Sequence, residues 1–334
     1  MARRDYDESD VRIRPSRRTK PRTKDRPSHE SAITAFVITV DRGRTTCYLD
    51  DGTIVMAMKA RELGPKSVVV GDYVKLVGDT TGNEGTLARI VSVDDRKSVL
   101  VRTVDDAAQF ERNIASNIDQ LVIVAAAANP EPRRGLIDRF LVSAFTEGID
   151  PILVITKTDI ADVPDFVKEY ESIGVRCLST KIGGDLSELH SLLNGKVSVL
   201  VGHSGVGKST LLNQLTEADR ETGDVNDVTG RGRHTSSSAY AVALKDFPNQ
   251  KAAANSWVID TPGVRAFGLS HLDPNAIIAA FDDLLEITNS CMTNCSHNET
   301  ECKLNAWMAP DGVEIPERVA RVTSLRNLLA AGLE

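Results

Sequence analysis

Apolar and polar positions change rhythm three times along this chain. Up to Glu30 there is almost no apolar residue, so the stretch cannot bury a core and is expected to be disordered when free. From Ser31 the apolar positions fall into short β-rich runs at 34–40, 45–49, 53–58, 73–77 and 86–93. Asp50-Asp51-Gly52 is a hairpin signal between the second and third runs, and 98–102 is a further run that can close the set. Short strands at this spacing predict a small β-barrel of the OB type, an architecture that often binds nucleic acid. From Ile118 the texture becomes alternating. Strands are predicted at 120–125, 152–155, 175–178, 197–201 and 257–259, with helices at 136–145, 164–173 and 185–193 between them. Leu136, Ile137, Phe140, Leu141 and Ala144 share one face of the first helix. That alternation predicts an α/β domain with parallel strands. After Pro274 the pattern turns helical, with an amphipathic run at 277–287, a cysteine-rich segment, and a last helix at 317–329.

Composition adds three constraints. With 334 residues, 41% hydrophobic and 26% charged, the chain suits a globular protein of two or three domains. Apolar runs fall short of the roughly 20 residues of a membrane helix, and the N-terminus lacks a signal-peptide core, so a cytoplasmic protein with no membrane partner is expected. The five cysteines are an odd number, and Cys291, Cys295 and Cys302 crowd into one segment, which favours a metal site over a disulfide framework. Cys47 and Cys177 fall on predicted strands and read as core residues.

The net charge of −7 conceals a basic arm. Between Val11 and Arg26, Arg12, Arg14, Arg17, Arg18, Lys20, Arg22, Lys24 and Arg26 stand against one acid, Asp25. The arm is either a solvated tail or an RNA-seeking one. Aromatics are few in the barrel region (Phe36, Tyr48, Tyr73), so backbone contact by Arg61, Lys66, Arg89, Arg96 and Lys97 is expected in place of base stacking.

The chemistry centres on Gly202-His203-Ser204-Gly205-Val206-Gly207-Lys208-Ser209-Thr210, which follows an apolar β-run and opens a helical one. Strand, glycine loop and helix in this spacing make a phosphate-binding loop. The glycines turn backbone N–H groups inward, and the helix N-terminus adds partial positive charge. Lys208 reaches the β- and γ-phosphates, and the Ser209 hydroxyl is placed on Mg²⁺. Asp260-Thr261-Pro262-Gly263 follows a strand, so Asp260 can hold Mg²⁺ through water and Gly263 can offer its N–H to the γ-phosphate.

Thr156-Lys157-Thr158-Asp159 also follows a strand. Asp159 can accept the ring N–H and the exocyclic amine of guanine, which selects GTP over ATP, and the Lys157 stem can lie along the base. The usual motif begins with Asn; Thr156 lacks that amide's paired donor and acceptor. Ser179-Thr180-Lys181 fits the short loop whose backbone N–H meets the guanine carbonyl.

Between phosphate loop and Asp260 lies a glycine-rich, polar run at 223–238. Thr235, or else Ser236, can complete the Mg²⁺ shell there as part of a nucleotide-sensing switch. Val264 stands where many GTPases carry a water-orienting Gln, so intrinsic hydrolysis is expected to be slow. His234 is the internal candidate for catalytic help; its alternative is a solvent-facing loop histidine. Cys291, Cys295, His297 and Cys302 offer three thiolates and an imidazole, a donor set for one structural Zn²⁺. The guanine motifs precede the phosphate loop, which reverses the usual order and implies a circular permutation.

That permuted order, with a barrel before it and a cysteine/histidine cluster after it, resembles the ribosome small subunit-dependent GTPase A (RsgA) family. The resemblance runs from Ser31 over nearly the whole chain. It includes Ile114-Ala115-Ser116-Asn117-Ile118-Asp119-Gln120, Leu136-Ile137-Asp138-Arg139-Phe140-Leu141, the phosphate loop, and Gly230-Arg231-Gly232-Arg233-His234-Thr235. In the family, the gaps between the first two cysteines and between the histidine and the last cysteine are usually one residue longer than here. The resemblance implies an OB-fold domain at 31–105, a circularly permuted GTPase domain at 106–274 and a helical zinc domain at 275–334; the disordered basic arm at 1–30 is not explained by the family core and is either an extra rRNA contact or a lineage-specific decoration. It implies GTP and GDP as ligands with Mg²⁺, hydrolysis stimulated by the small ribosomal subunit, contact with its rRNA, a role in late maturation of that subunit, and a monomer. An RNA-binding module with incidental turnover, and an ATP-using enzyme, are the competing readings.

Overall fold

The computed structural model describes residues 31–41, 43–64, 68–105, 108–216, 239–261, 274–279 and 281–333. The expectations for the basic arm, Lys66, the run at 223–238 with His234, Thr235 and Ser236, and Gly263 and Val264 lie outside these residues.

Strands β1 (Ile33–Asp41), β2 (Arg44–Tyr48), β3 (Ile54–Lys59), β4 (Tyr73–Gly78) and β5 (Ala88–Val93) close into a barrel in the order β1-β2-β3-β5-β4, with β4 returning to β1. Only β3 and β5 pair parallel; the other neighbours are antiparallel. Alternate residues point inward, as the period of two requires: Val37, Cys47, Val55, Ala57, Val74, Leu76, Ala88 and Ile90 form its core. Burial pushes the Cys47 thiol up to about 12, which suits an inert core residue.

The run at 98–102 does not close this barrel. It belongs to β6 (Val99–Asp105), which pairs antiparallel with β7 (Ala108–Ser116) as a separate two-stranded sheet. The β1–β4 pairing has already removed the barrel's free edge, so no place is left for a sixth strand.

Barrel and hairpin meet at a buried carboxylate. Asp72 has a fully buried side chain. It accepts from Arg96 Nε at 2.7 Å, Arg96 Nη2 at 2.8 Å, Ser116 Oγ at 2.6 Å and the Val69 N–H at 2.8 Å. Neighbouring Gly71 has φ +90°, and a Cβ there would lie 2.1 Å from the Ser116 carbonyl oxygen. Asn117, itself at φ 54°, donates to the Gly71 carbonyl at 2.9 Å. The run from Ile114 to Gln120 is thus a structural joint.

The α/β layer follows in chain order: β8 (Gln120–Ala126), α1 (Arg134–Thr146), β9 (Asp150–Thr156), α2 (Val167–Ser172), β10 (Arg176–Ser179), α3 (Ser187–Leu193), β11 (Val197–Val201), α4 (Lys208–Leu215), β12 (Tyr240–Ala243) and β13 (Trp257–Asp260). Strands β10-β9-β8-β11-β13 are parallel neighbours. Strand β12 is antiparallel to β13 and touches β1 at Thr39 and Tyr240, so barrel and layer share one 11-stranded sheet. Short β12 is absent from the sequence-based expectation.

At the junction Trp257 stacks on Phe36 (ring centroids 5.1 Å) and meets Tyr48 edge-on (4.9 Å), while Phe36 also meets Tyr73 (5.3 Å). The barrel's three aromatics therefore pack around this joint. Two of the five proposed backbone-contacting cations are likewise engaged: Arg96 with Asp72, and Lys97 with Asp119 at 2.6 Å.

The amphipathic run at 277–287 is two helices, α5 (Pro274–Ala279) and α6 (Asp282–Thr288). Phe281 leaves helical geometry between them (φ −115°, ψ 74°), and its buried ring packs against Phe145 of α1. Burial of that ring overrides the helical periodicity. After the cysteine-rich segment come α7 (Lys303–Met308) and α8 (Pro316–Leu333). Val322, Leu325, Leu328 and Leu329 of α8 enter the large core, and Arg321 bridges Asp283 and the Ser172 carbonyl. No helix among the described residues is long and apolar enough to cross a membrane.

Replacing Asp72 by Ala leaves the Arg96 guanidinium without its buried partner. A loss of about 3 kcal/mol in urea unfolding is expected, since breaking one half of a buried pair is far costlier than breaking a surface one. An unchanged midpoint would contradict the joint's role.

Candidate functional site

Parallel pairing brings four chain segments to one sheet edge. Val201 of β11 pairs with Ile123 of β8, Leu200 with Asp260 of β13, Ala126 of β8 with Thr156, and Ile155 with Ser179. The carboxyl ends of these strands therefore deliver the phosphate loop, Asp260, the Thr156-Asp159 loop and the Ser179-Lys181 loop together. In open α/β sheets this edge is where ligands bind.

The phosphate loop leaves β11 at Gly202. Its φ of +145° favours glycine, and a Cβ would lie 2.2 Å from the Val124 carbonyl oxygen. A side chain at 202 would thus push the loop off β8. Gly205 (φ +80°) and Gly207 (φ +96°) supply the remaining left-handed turns. Val206 is buried and anchors the loop in the core, while Ser204 and Gly205 stay exposed. Lys208 opens α4, and its Nζ donates to the Gly202 and His203 carbonyls, both at 2.7 Å. The ammonium is thereby held over the curled loop. Burial pulls the Lys208 pKa down and nearby Asp260 opposes that shift. His203 Nδ1 lies 2.8 Å from the Ser204 carbonyl oxygen. Ser209 and Thr210 are exposed in the first turn of α4.

Asp260 is buried and accepts from the Tyr240 hydroxyl at 3.1 Å; Thr261 Oγ1 donates to the Leu200 carbonyl at 3.2 Å. Tyr240 is a contributor that pattern reading missed. Its antiparallel register opposite Asp260 exists only once β12 and β13 are paired.

The guanine-type loop is braced from three sides. Thr156, also buried, places Oγ1 at 2.5 Å from the Val206 carbonyl oxygen and 3.2 Å from that of Ala125. Lys157 adopts φ 60°, and its Nζ hydrogen-bonds the Asn129 carbonyl. Thr158 donates to the Thr180 carbonyl from its N–H (3.3 Å) and its hydroxyl (3.2 Å), which ties this loop to Ser179-Thr180-Lys181. Asp159 and Lys181 project into solvent from the two linked loops. Thr235, His234 and Gly263 lie outside the described residues.

A second candidate site lies after α6. Ligand atoms of Cys291, Cys295, His297 and Cys302 all lie within 4.8 Å of one another. The Cys291 and Cys302 sulfurs are 3.8 Å apart, as are Cys302 Sγ and His297 Nδ1. Tetrahedral zinc with bonds of about 2.3 Å to sulfur and about 2.0 Å to nitrogen needs ligand separations of roughly 3.5–3.8 Å. The three-sulfur, one-nitrogen set is thus compatible with zinc, and the shortened gaps still bring the donors together. Asn294 (φ 63°) and His297 (φ 66°) provide the tight turns. Arg326 of α8 donates to the His297 carbonyl and to Asn305, both at 2.7 Å, and so fixes the histidine's loop. Burial lowers the His297 pKa, against the pull of Glu299, a shift toward the neutral imidazole that a metal ligand requires. Glu299 accepts from the Ser296 N–H at 2.8 Å and from the Cys295 thiol at 3.1 Å. Cys177, by contrast, sits beside the large core with its thiol pushed up to about 12 by burial.

Comparison with known proteins agrees with this geometry. Residues 93–270 match the RsgA GTPase family. The Vibrio vulnificus (strain YJ016) protein named small ribosomal subunit biogenesis GTPase RsgA 1 is 35% identical over 244 residues, spanning 70% of this chain and 66% of that protein. The chain thus spans just under two thirds of that relative's length. A Pseudomonas aeruginosa (strain LESB58) protein, small ribosomal subunit biogenesis GTPase RsgA, is 35% identical over 276 residues, 79% of this chain and 76% of that one. Among solved structures, YjeQ from Thermotoga maritima superposes with a TM-score of 0.62 at 24% identity, over 89% of this chain and 99% of that chain. YloQ, described as a circularly permuted GTPase, gives 0.59 at 21% identity, over 90% and 97%. The structural likenesses establish a shared fold.

Full-length protein is expected to carry one equivalent of metal per chain by elemental analysis, and Cys302→Ser to lose it. Full metal content in that variant would exclude Cys302 as a ligand.

Proposed function

The chain belongs to the RsgA GTPase family, and from that premise we propose that it hydrolyses GTP to GDP and phosphate on the small ribosomal subunit and assists that subunit's late maturation. One observation carries the reading: a phosphate loop, an acid at a strand end and a guanine-type loop converge on one sheet edge although they are permuted in sequence. The names of the curated relatives supply the small subunit as partner.

In this reading Asp159 accepts from guanine N1–H and the 2-amino group, and the Lys181 backbone N–H meets O6, since the Thr180 N–H is donated to the Ile155 carbonyl. The Gly202–Gly207 amides cradle the phosphates, and Lys208 neutralises charge on the transferring phosphoryl group. Mg²⁺ supplies further charge neutralisation when bound; Ser209 and Thr235 would hold it directly and Asp260 through water. Gly263 would offer an N–H to the γ-phosphate. Val264 has no group to orient water, which leaves the catalytic help to His234 or to the subunit. Cys291, Cys295, His297 and Cys302 hold one structural zinc. The barrel faces rRNA phosphates through exposed cations such as Arg61 and Arg89. The protein acts as a cytoplasmic monomer.

The deciding experiment is GTP turnover by the full chain, alone and with purified small subunits. ATP serves as the nucleotide control and Lys208→Ala as the blank. A slow GTP-only rate that rises at least tenfold with subunits, and is abolished in Lys208→Ala, is expected. A rate unmoved by subunits, with guanine nucleotide still bound, would instead favour an RNA-binding module locked by nucleotide.

A further inference from the structure

The first residue of the guanine-type loop is buried against two backbone carbonyls. Thr156 is only 6% exposed, and its Oγ1 has two carbonyl oxygens as neighbours, Val206 at 2.5 Å and Ala125 at 3.2 Å. A carbonyl can only accept, and a hydroxyl has one hydrogen, so that hydrogen is committed. The phosphate loop also roofs the side chain: a Cβ on Gly207 would meet Thr156 Oγ1, Cβ and Cγ2 at 3.7–3.9 Å. Thr156 therefore fastens the guanine-type loop to the phosphate loop and has nothing left to donate. The neighbouring Lys157 Nζ donates one of its three hydrogens to the Asn129 carbonyl.

Guanine N7 is a bare acceptor that needs a donor. An asparagine at 156 would bring two amide hydrogens, one for the Val206 carbonyl and one for N7. Threonine keeps the first bond and forgoes the second. Resting on the assignment of this loop to guanine under Proposed function, we propose that the chain reads guanine only along its N1, 2-amino and O6 edge and is indifferent to position 7. Nucleotides of 7-deazaguanine, which carry C–H in place of N7, are then ligands equal to those of guanine. Thr156 acts as a positioning residue: it sets the loop's place against the phosphates and sets the purine specificity by what it withholds.

The test is equilibrium binding of GDP, 7-deaza-GDP and ADP to the full chain. GDP and 7-deaza-GDP are expected to bind within about twofold of each other, with ADP far weaker. In Thr156→Asn the gained donor should favour GDP over 7-deaza-GDP by roughly fivefold, the ratio that one net hydrogen bond of about 1 kcal/mol gives. In Thr156→Val, which leaves the Val206 carbonyl unpartnered, both guanine ligands should weaken together, and Thr156→Ser should restore them.

A wild-type preference for GDP over 7-deaza-GDP of about fivefold or more would overturn this inference and leave the guanine assignment standing, since it would mean that N7 is hydrogen-bonded. An Asn variant still blind to position 7 would overturn the claim that residue 156 sets the preference. Equal binding of GDP and ADP would overturn the guanine assignment itself, and this inference with it. The wild-type ratio needs no variant to fold.

Discussion

The nucleotide site depends on one strand pairing. Parallel β8 and β11, in register from Ser198 opposite Gln120 to Val201 opposite Ile123, join the half of the sheet that carries the guanine-type loops (β8, β9, β10) to the half that carries the glycine loop and Asp260 (β11, β13). The contacts between the two halves follow from it. Gly202 can lie against the Val124 carbonyl only because β8 is the neighbour of β11, and Thr156 can reach the Val206 carbonyl only because β9 is the next strand over. Chain order does not enter. A sheet is stabilised by which strands pair and not by where the chain begins, so the permuted arrangement closes the same site.

The permutation has a mechanical corollary. Strand β12 follows, in sequence, the run read as a switch, and β13 ends at Asp260. These two strands are also the ones that meet the barrel, through the Thr39–Tyr240 bridge and the stacking of Trp257 on Phe36. Strand β1 is buried on both faces, Ala35 and Val37 toward the barrel core and Phe36 and Ile38 toward the large core. On the other side, α8 is locked onto α1, α2 and α6 by its apolar face and by Arg321. A carboxylate buried at the Gly71-Asp72 turn holds barrel and hairpin in register. The barrel and the helical segment are therefore both tied to elements that flank the nucleotide site.

Much of this was legible in the sequence wherever the cause is local. The glycine loop, the barrel runs and the Cys₃His donor set each rest on backbone freedom, period or ligand chemistry that a short window contains, and each stands in the structure. The resemblance to the RsgA family, carried by motif order and by runs such as the one from Ile114 to Gln120, agrees with the family match. What escaped pattern reading is non-local. The run at 98–102 reads like a barrel strand, but the barrel closes without it. Four-residue β12 has too short a period to announce itself, yet it supplies Tyr240 to Asp260. The break at Phe281 answers to a core ring contact rather than to its own helix. Thr156 braces the two loops, which the sequence could not show, because only the fold reveals that its partners are both carbonyls.

The central claim is that the two halves of the sheet form a single guanine nucleotide site. Hydrogen exchange of the full chain, with and without GDP and with ADP as control, tests it most directly. The account predicts that GDP slows exchange at 156–159, at 180–181 and at 202–209 together, and that ADP at the same concentration does not. Slowing confined to 202–209, or equal slowing by ADP, would contradict it, because the phosphate loop would then be binding phosphate without the base being read.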